Sequence, residues 1–162
     1  VIHQILIAFA CMAVVLGIGF ALTVSEVTTW YLRLRKPSWQ PPDWLFGPAW
    51  TTIGLLSVAS AVIAWRSATT GAERHALLAL FALNGVLNAG WSALFFKMRR
   101  PDWALIEVVP LWLSIDALMV AFHAGAPTAS WLLAPYLVWV SFAACLNLSV
   151  VKLNRPFGRP AT

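Results

Sequence analysis

Two stripes of this chain combine carboxamides with large aromatic rings at helical spacing. Asn84, Asn88, Trp91 and Phe95 follow one another at steps of four, three and four residues. At about 100° per residue they fall within about 60° of one another on a single helix face. Tyr136, Trp139, Ala143 and Asn147, at steps of three, four and four, form a second stripe. The chemistry this supports is recognition: rings make apolar walls, and a few placed amides orient the polar edges of a ligand. Trp50 and Trp112 lie too deep in apolar runs to be interfacial anchors. Trp44, Trp65, Trp103 and Trp131, at run ends, need no other role.

Other reactive types do not assemble into a catalytic set. Glu107 and Asp116 share one apolar run but lie about 180° apart on a helix, so they form no acid pair there. Glu107 is near a run end, within reach of water or a basic loop residue. Asp116 lies deeper, and an intramembrane carboxylate is a candidate proton or ion site in a transporter. His3, His75 and His123 make no metal motif, and Cys11 and Cys145 have no metal-type spacing and sit at different depths. No nucleophile–base pair stands out.

The elements that must position these residues are set by composition. Of 162 residues 60% are hydrophobic and 10% charged, where a soluble domain carries about 25% charged residues. That leaves too little polar surface to coat a globule, so the surrounding solvent is lipid. Five apolar runs of spanning length predict an all-α, five-helix membrane bundle in a single domain, 1–162. The spans are Ile5–Val24, Leu45–Trp65, Ala76–Phe96, Trp103–Phe122 and Trp131–Val151. The first exceeds the core of a secretory signal and no basic segment precedes it, so it is expected to be a true span. The connections Arg66–His75, Lys97–Asp102 and His123–Ser130 are short and carry Gly or Pro, which makes consecutive helices antiparallel neighbours.

Charge sets the expected direction. Arg33, Arg35, Lys36, Lys97, Arg99, Arg100, Lys152, Arg155 and Arg159 fall on one side, and only Arg66 and Arg74 on the other. The first side, with the C-terminus, is therefore expected in the cytoplasm and the N-terminus outside. The same clustering between spans assigns the net charge of +5 to orientation rather than to nucleic acid.

The stretch KPSWQPPDWLFGPAW, Lys36 to Trp50, holds four prolines and three tryptophans. Proline stiffens the loop at 25–44 without a core of its own, which suits a lid over the cytoplasmic halves of the spans. The rim cations Arg33, Arg35 and Lys36 suit a flat, partly anionic ligand. On the far side of the third span, Ala82, Gly85, Ala89 and Ala93 form a small-residue face that permits close helix approach, within the bundle or across a homodimer seam.

Trp30-Tyr31, KPSWQPPDWLFGPAWT, LNAGWSALFF (Leu87–Phe96) and PYLVWVSFAACLNLSVVKLN (Pro135–Asn154) together resemble the TspO/MBR family. The resemblance implies a five-helix bundle, often dimeric. It implies binding of porphyrins, haem-related tetrapyrroles and isoquinoline or benzodiazepine-type compounds, with no cofactor required. The matching pocket positions under the first loop are Tyr31, Trp39, Phe46, Trp50, Asn88, Trp91, Trp139, Phe142 and Ala143. It also brings an alternative activity, a light- and oxygen-dependent breakdown of porphyrin through pocket tryptophans. The chain departs from the family pattern at Gly54, where many members have tyrosine, and at Asn84, where many have glutamine. The resemblance also brings a sterol as a further partner, a reading weakened here because Leu148 replaces the tyrosine of the sterol-recognition segment while Lys152 is kept.

Overall fold

The computed structural model describes residues 29–157, and among them every regular element is helical. A short helix α1 (Thr29–Arg33) opens the lid loop, and a 3-10 turn (Asp43–Leu45) leads into α2 (Phe46–Ser67). Then come α3 (Gly71–Ser92), continued by a π-helical segment (Ala93–Lys97), α4 (Pro101–His123), α5 (Pro127–Leu132) and α6 (Ala134–Asn154). Four segments are long and apolar enough to cross a membrane: Asp43–Ser67, Gly71–Lys97, Pro101–His123 and Pro127–Asn154. The expected first span, Ile5–Val24, lies outside the described residues, as do His3, Cys11 and Arg159.

Helix ends differ from the apolar runs for identifiable reasons. α3 starts five residues before Ala76, because its first turn is polar and is closed by a capping box. Thr70 Oγ1 accepts from Glu73 N–H at 3.2 Å, and Glu73 Oε2 accepts from Thr70 N–H at 3.1 Å and Thr69 N–H at 2.6 Å. Pro101 and Pro127 begin helices instead of interrupting the chain. Proline tolerates the first helical turn because no intrahelical partner awaits its missing N–H. The last span is broken at Leu133: Pro135 cannot donate to the carbonyl four residues back, so α5 stops and α6 starts afresh.

α4 is the centre of the bundle. Ala104, Val108, Leu111, Ile115, Leu118 and Phe122 recur at steps of four and three and are all buried, a seam for close helix packing. Ile53 and Ala64 of α2, Ala126 and Ala129 at α5, and Leu133, Tyr136 and Val140 along the last span pack with this seam from Val108 onward, while Ala104 packs with Phe95 and Val150. Ile106, Val109, Leu113, Val120 and Val138 point outward and are exposed. An outward apolar face of this kind suits hydrocarbon and not water.

A chain of hydrogen bonds crosses the core. Asn88 Nδ2 donates to Tyr136 Oη at 2.9 Å, and Tyr136 Oη donates to Asn84 Oδ1 at 3.3 Å. Asn84 Nδ2 donates to Ser114 Oγ at 2.8 Å, which donates to the Leu111 carbonyl at 2.7 Å. α3, α4 and α6 are joined by one directional relay. A second amide, Asn147, is buried against the start of α4. With its nitrogen oriented to the Pro101 carbonyl it donates at 3.0 Å and accepts from Leu105 N–H at 3.1 Å.

Tyr136→Phe removes the hydroxyl between Asn88 and Asn84 and strands a donor and an acceptor. The expected loss is about 1 kcal/mol, read as a fall of about 2–4 °C in the unfolding midpoint in detergent. Trp131→Phe, on the exposed outer surface, serves as the control. A midpoint no lower than that of the control would remove the relay from the account of stability.

Candidate functional site

The aromatic residues converge beneath the lid loop from three elements. Trp39 of the lid meets Phe142 edge to face at 5.8 Å between ring centroids, and Phe142 meets Trp139 at 5.6 Å. Phe46 and Trp50 of α2 approach Trp139 edge-on at 5.6 and 6.5 Å. Trp50 then meets Tyr136 at 6.1 Å, and the Tyr136 hydroxyl leads into the amides of Asn88 and Asn84. The chain of rings thus ends on the polar relay. Edge-to-face pairs at these distances are each worth about 0.5–1.5 kcal/mol beyond area burial, enough to hold the rings at defined angles.

A second aromatic group gathers around Trp91, which packs against both hydrophobic clusters of the bundle. Trp91 stacks on Phe95 at 5.1 Å and 23°, and Tyr31 lies against Phe96 at 5.7 Å and Phe95 at 6.5 Å. Of the sequence-derived site residues, Trp39, Phe46, Trp50, Trp139 and Phe142 form one contiguous set, with Asn88 joined to it through Tyr136. Tyr31 and Trp91 belong to the neighbouring set, and Ala143 is half-buried beside Phe142 on α6. Tyr136, Asn84, Phe95 and Phe96 are the links between these residues, although the family resemblance does not single them out as pocket positions. The two helical stripes already held the first three, whereas no sequence signal marked Phe96.

The site also buries polar atoms that the protein does not satisfy. Trp91 Nε1 and Trp139 Nε1 are buried with no acceptor among the described residues. Both carboxylate oxygens of Glu107 are buried without a donor among the described residues, beside Gly90 of α3, where an added Cβ would lie 3.9 Å from Glu107 Oε1. Unpaired buried groups of this kind are few in folded proteins and mark strain, function or a bound molecule. Glu107 therefore meets the flank of α3 instead of water or a basic loop residue.

The lid is braced by contacts that its proline content does not disclose. Asn154, at the end of α6, accepts from Arg35 N–H at 2.8 Å and donates to the Arg35 carbonyl at 2.8 Å. Lys36 Nζ sits 3.8 Å above the Tyr31 ring and 3.8 Å from Asp43 Oδ2, while Gln40 Nε2 donates to Asp43 Oδ1 at 3.1 Å. Burial, and then the Asp43 carboxylate, pushes the Tyr31 hydroxyl up to about 12, so it remains a neutral phenol at physiological pH. Of the expected rim cations, Arg33 and Arg35 are exposed, whereas Lys36 is engaged within the lid.

The remaining candidates lie apart from this site. Asp116 faces the groove between α4 and α5, toward the end of the bundle opposite the lid. No His, Cys, Asp or Glu cluster among the described residues has the makings of a metal site. On α3 and its π-helical continuation, Ala82 is exposed and Gly85, Ala89 and Ala93 are half-buried.

Residues 6–153 match the model of the TspO/MBR family. The chain is 40% identical to the tryptophan-rich protein TspO of Chlorobaculum tepidum, over 93% of this chain and 98% of that one. It is 38% identical to the tryptophan-rich sensory protein of Cereibacter sphaeroides, over 80% and 81% of the two chains. Its identity to the human translocator protein is 33%, over 85% and 82%.

Asn154→Ala removes both hydrogen bonds that tie the lid to α6. Two such bonds are worth about 2 kcal/mol, and local opening follows their loss. Trypsin cleavage at Arg33 and Arg35 in the detergent-solubilised protein is expected to accelerate by about 10-fold or more. An unchanged cleavage rate would show that the lid is held by its rings alone.

Proposed function

The chain belongs to the TspO/MBR family, and from that membership we propose that it binds porphyrins and related tetrapyrroles beneath the lid loop, in a membrane sensor or translocator role. The same walls suit isoquinoline and benzodiazepine-type compounds. The observation that carries the reading is the convergence of Trp39, Phe46, Trp50, Trp139 and Phe142 on the Asn88–Tyr136 pair. Flat macrocycles gain from several rings presented at angles, and the free indole N–H groups of Trp91 and Trp139 fit acceptor atoms at the macrocycle edge. Arg33 and Arg35 lie at the rim for propionate-like acids. The lid tie through Asn154 keeps the cover in register with α6. With the lid and the end of α6 together and Arg33, Arg35, Lys36, Lys97, Arg100 and Lys152 falling on that side in the sequence, this end faces the cytoplasm.

Trp139→Phe and Asn88→Ala are expected to weaken saturable quenching of tryptophan fluorescence by protoporphyrin, each by about 2- to 10-fold. Trp65→Phe, at the opposite end of α2, leaves the affinity unchanged. Unfolding midpoints recorded in parallel separate lost affinity from lost fold. Linear, unsaturable quenching in all four proteins would refute the site.

The second part of the proposal is a homodimer through α3, whose small-residue face lies away from the polar relay. Lipid offers no hydrophobic gain for helix association, so close backbone approach at Ala82, Gly85, Ala89 and Ala93 would supply the contact. Ala82→Leu combined with Ala89→Leu is expected to shift the detergent-solubilised protein from dimer to monomer by light scattering coupled to size exclusion. Retention of the dimer would assign that face to packing within one chain.

A further inference from the structure

A cavity of about 410 Å³ opens between α4 and α5, toward the end of the bundle opposite the lid. Its walls are Asp116, Met119, Val120 and His123 of α4 and Ser130 and Trp131 of α5. That volume lies within the range of small-molecule sites, about 300–1,000 Å³. The mouth is apolar and outward-facing, since Val120 and Trp131 are 68% and 67% exposed. Whatever enters comes from the hydrocarbon or its interface. This space shares no residue with the aromatic site.

Its polar lining is one-sided. Asp116 is a carboxylate inside a membrane-length helix, and no hydrogen bond or ion pair engages it among the described residues. Ser130 spends its hydroxyl hydrogen on the Met119 carbonyl at 2.8 Å, so it presents only lone pairs. No Lys or Arg lines the cavity, and α5, PTASWL, has no titratable side chain. His123 is the one other titratable group in the lining. The exposed Trp131 ring adds a face that attracts cations. An open, mostly apolar groove whose few polar side chains include the Asp116 carboxylate and the Ser130 lone pairs calls for a donor-bearing cation on a greasy body.

We propose that this cavity is a second ligand site, which takes the ammonium group of a cationic amphiphile, with Asp116 as its counter-ion. The ammonium sits between the Asp116 carboxylate, Ser130 Oγ and the Trp131 ring. The alkyl chain leaves past Met119 and Val120 into the bilayer. The same head-group chemistry is offered by a free long-chain amine and by an ethanolamine phospholipid.

The test is native mass spectrometry of the full chain in a neutral maltoside detergent, with dodecylamine as the probe and dodecyl sulfate as the anionic control. The unmodified protein is expected to retain one dodecylamine and no dodecyl sulfate. Asp116→Asn, which is nearly isosteric, is expected to lose at least 10-fold in retention, and Val120→Trp, which fills the mouth but keeps the carboxylate, to lose as much. Both variants keep the protoporphyrin titration of the parent, so this site and the aromatic site fail or stand separately. Displacement of dodecylamine by dioleoyl-phosphatidylethanolamine, but not by dioleoyl-phosphatidylglycerol, identifies the lipid head-group as a source. Failure of both lipids to displace it leaves the free amine as the ligand. Equal retention by Asp116→Asn, or equal retention of dodecyl sulfate, overturns the proposal.

Discussion

Asn84 and Asn88 place two carboxamides inside a bundle where water is not available to solvate them. Each amide left unpaired there would cost several kcal/mol. Satisfying both requires one hydroxyl that accepts from one amide and donates to the other, and Tyr136 provides it. Ser114 closes the far end by passing its hydrogen to the Leu111 carbonyl. The relay joins side chains at set heights on three helices, so it fixes the axial registers of α3, α4 and α6 together. Apolar packing alone is more permissive, because Leu, Val and Ile surfaces can slide by a turn at modest cost.

That register determines what the upper halves of the helices present. Tyr136 is both a member of the relay and the ring against which Trp50 leans, so the position of the indole on α2 is transmitted from amides on α3. Trp139, one turn along α6, then meets Phe46 and Phe142. Asn147, two turns further, takes hold of the first turn of α4. Asn154 reaches the lid. One face of α6 therefore carries, in order, a structural tyrosine, a wall of rings, a helix clamp and a lid anchor.

The parts of this arrangement that depend on local chemistry were legible in the sequence, and those that depend on long-range pairing were not. Apolar runs marked the four described spans, because a helix in lipid must be apolar along its whole length. They missed the start of α3 because the Thr70–Glu73 box is polar, although that spacing is itself readable. They missed Pro101 and Pro127 as helix starts because proline breaks a helix interior but favours its first turn. The face of Asn84, Asn88, Trp91 and Phe95 followed from periodicity. Its partner did not: Tyr136 is 48 residues from Asn88, and helical spacing carries no information about which helix comes next to which. The Arg35–Asn154 tie spans 119 residues and has no local signature at all. Lys36 looked like a rim cation because charge counts do not register that Asp43 and the Tyr31 ring occupy it.

A ligand that reaches its site from the bilayer gains little from leaving water, since it has already left. Apolar area then contributes through shape and dispersion, and selectivity falls to the few polar atoms that lipid cannot match. Trp91 Nε1 and Trp139 Nε1 are such atoms: buried donors, held in place by ring packing, with no acceptor in the described protein. In hydrocarbon they cost more unpaired than they would at an aqueous surface, and a molecule that supplies acceptors at their positions recovers that cost on binding. An apolar molecule of the same shape recovers none of it. The relay stands in contrast, because its amides are already paired and offer a ligand only their remaining lone pairs and hydrogens. Packing thus sets the angles of the rings, the relay holds them rigid, and the unpaired indoles favour a molecule that carries acceptor atoms over plain lipid chains.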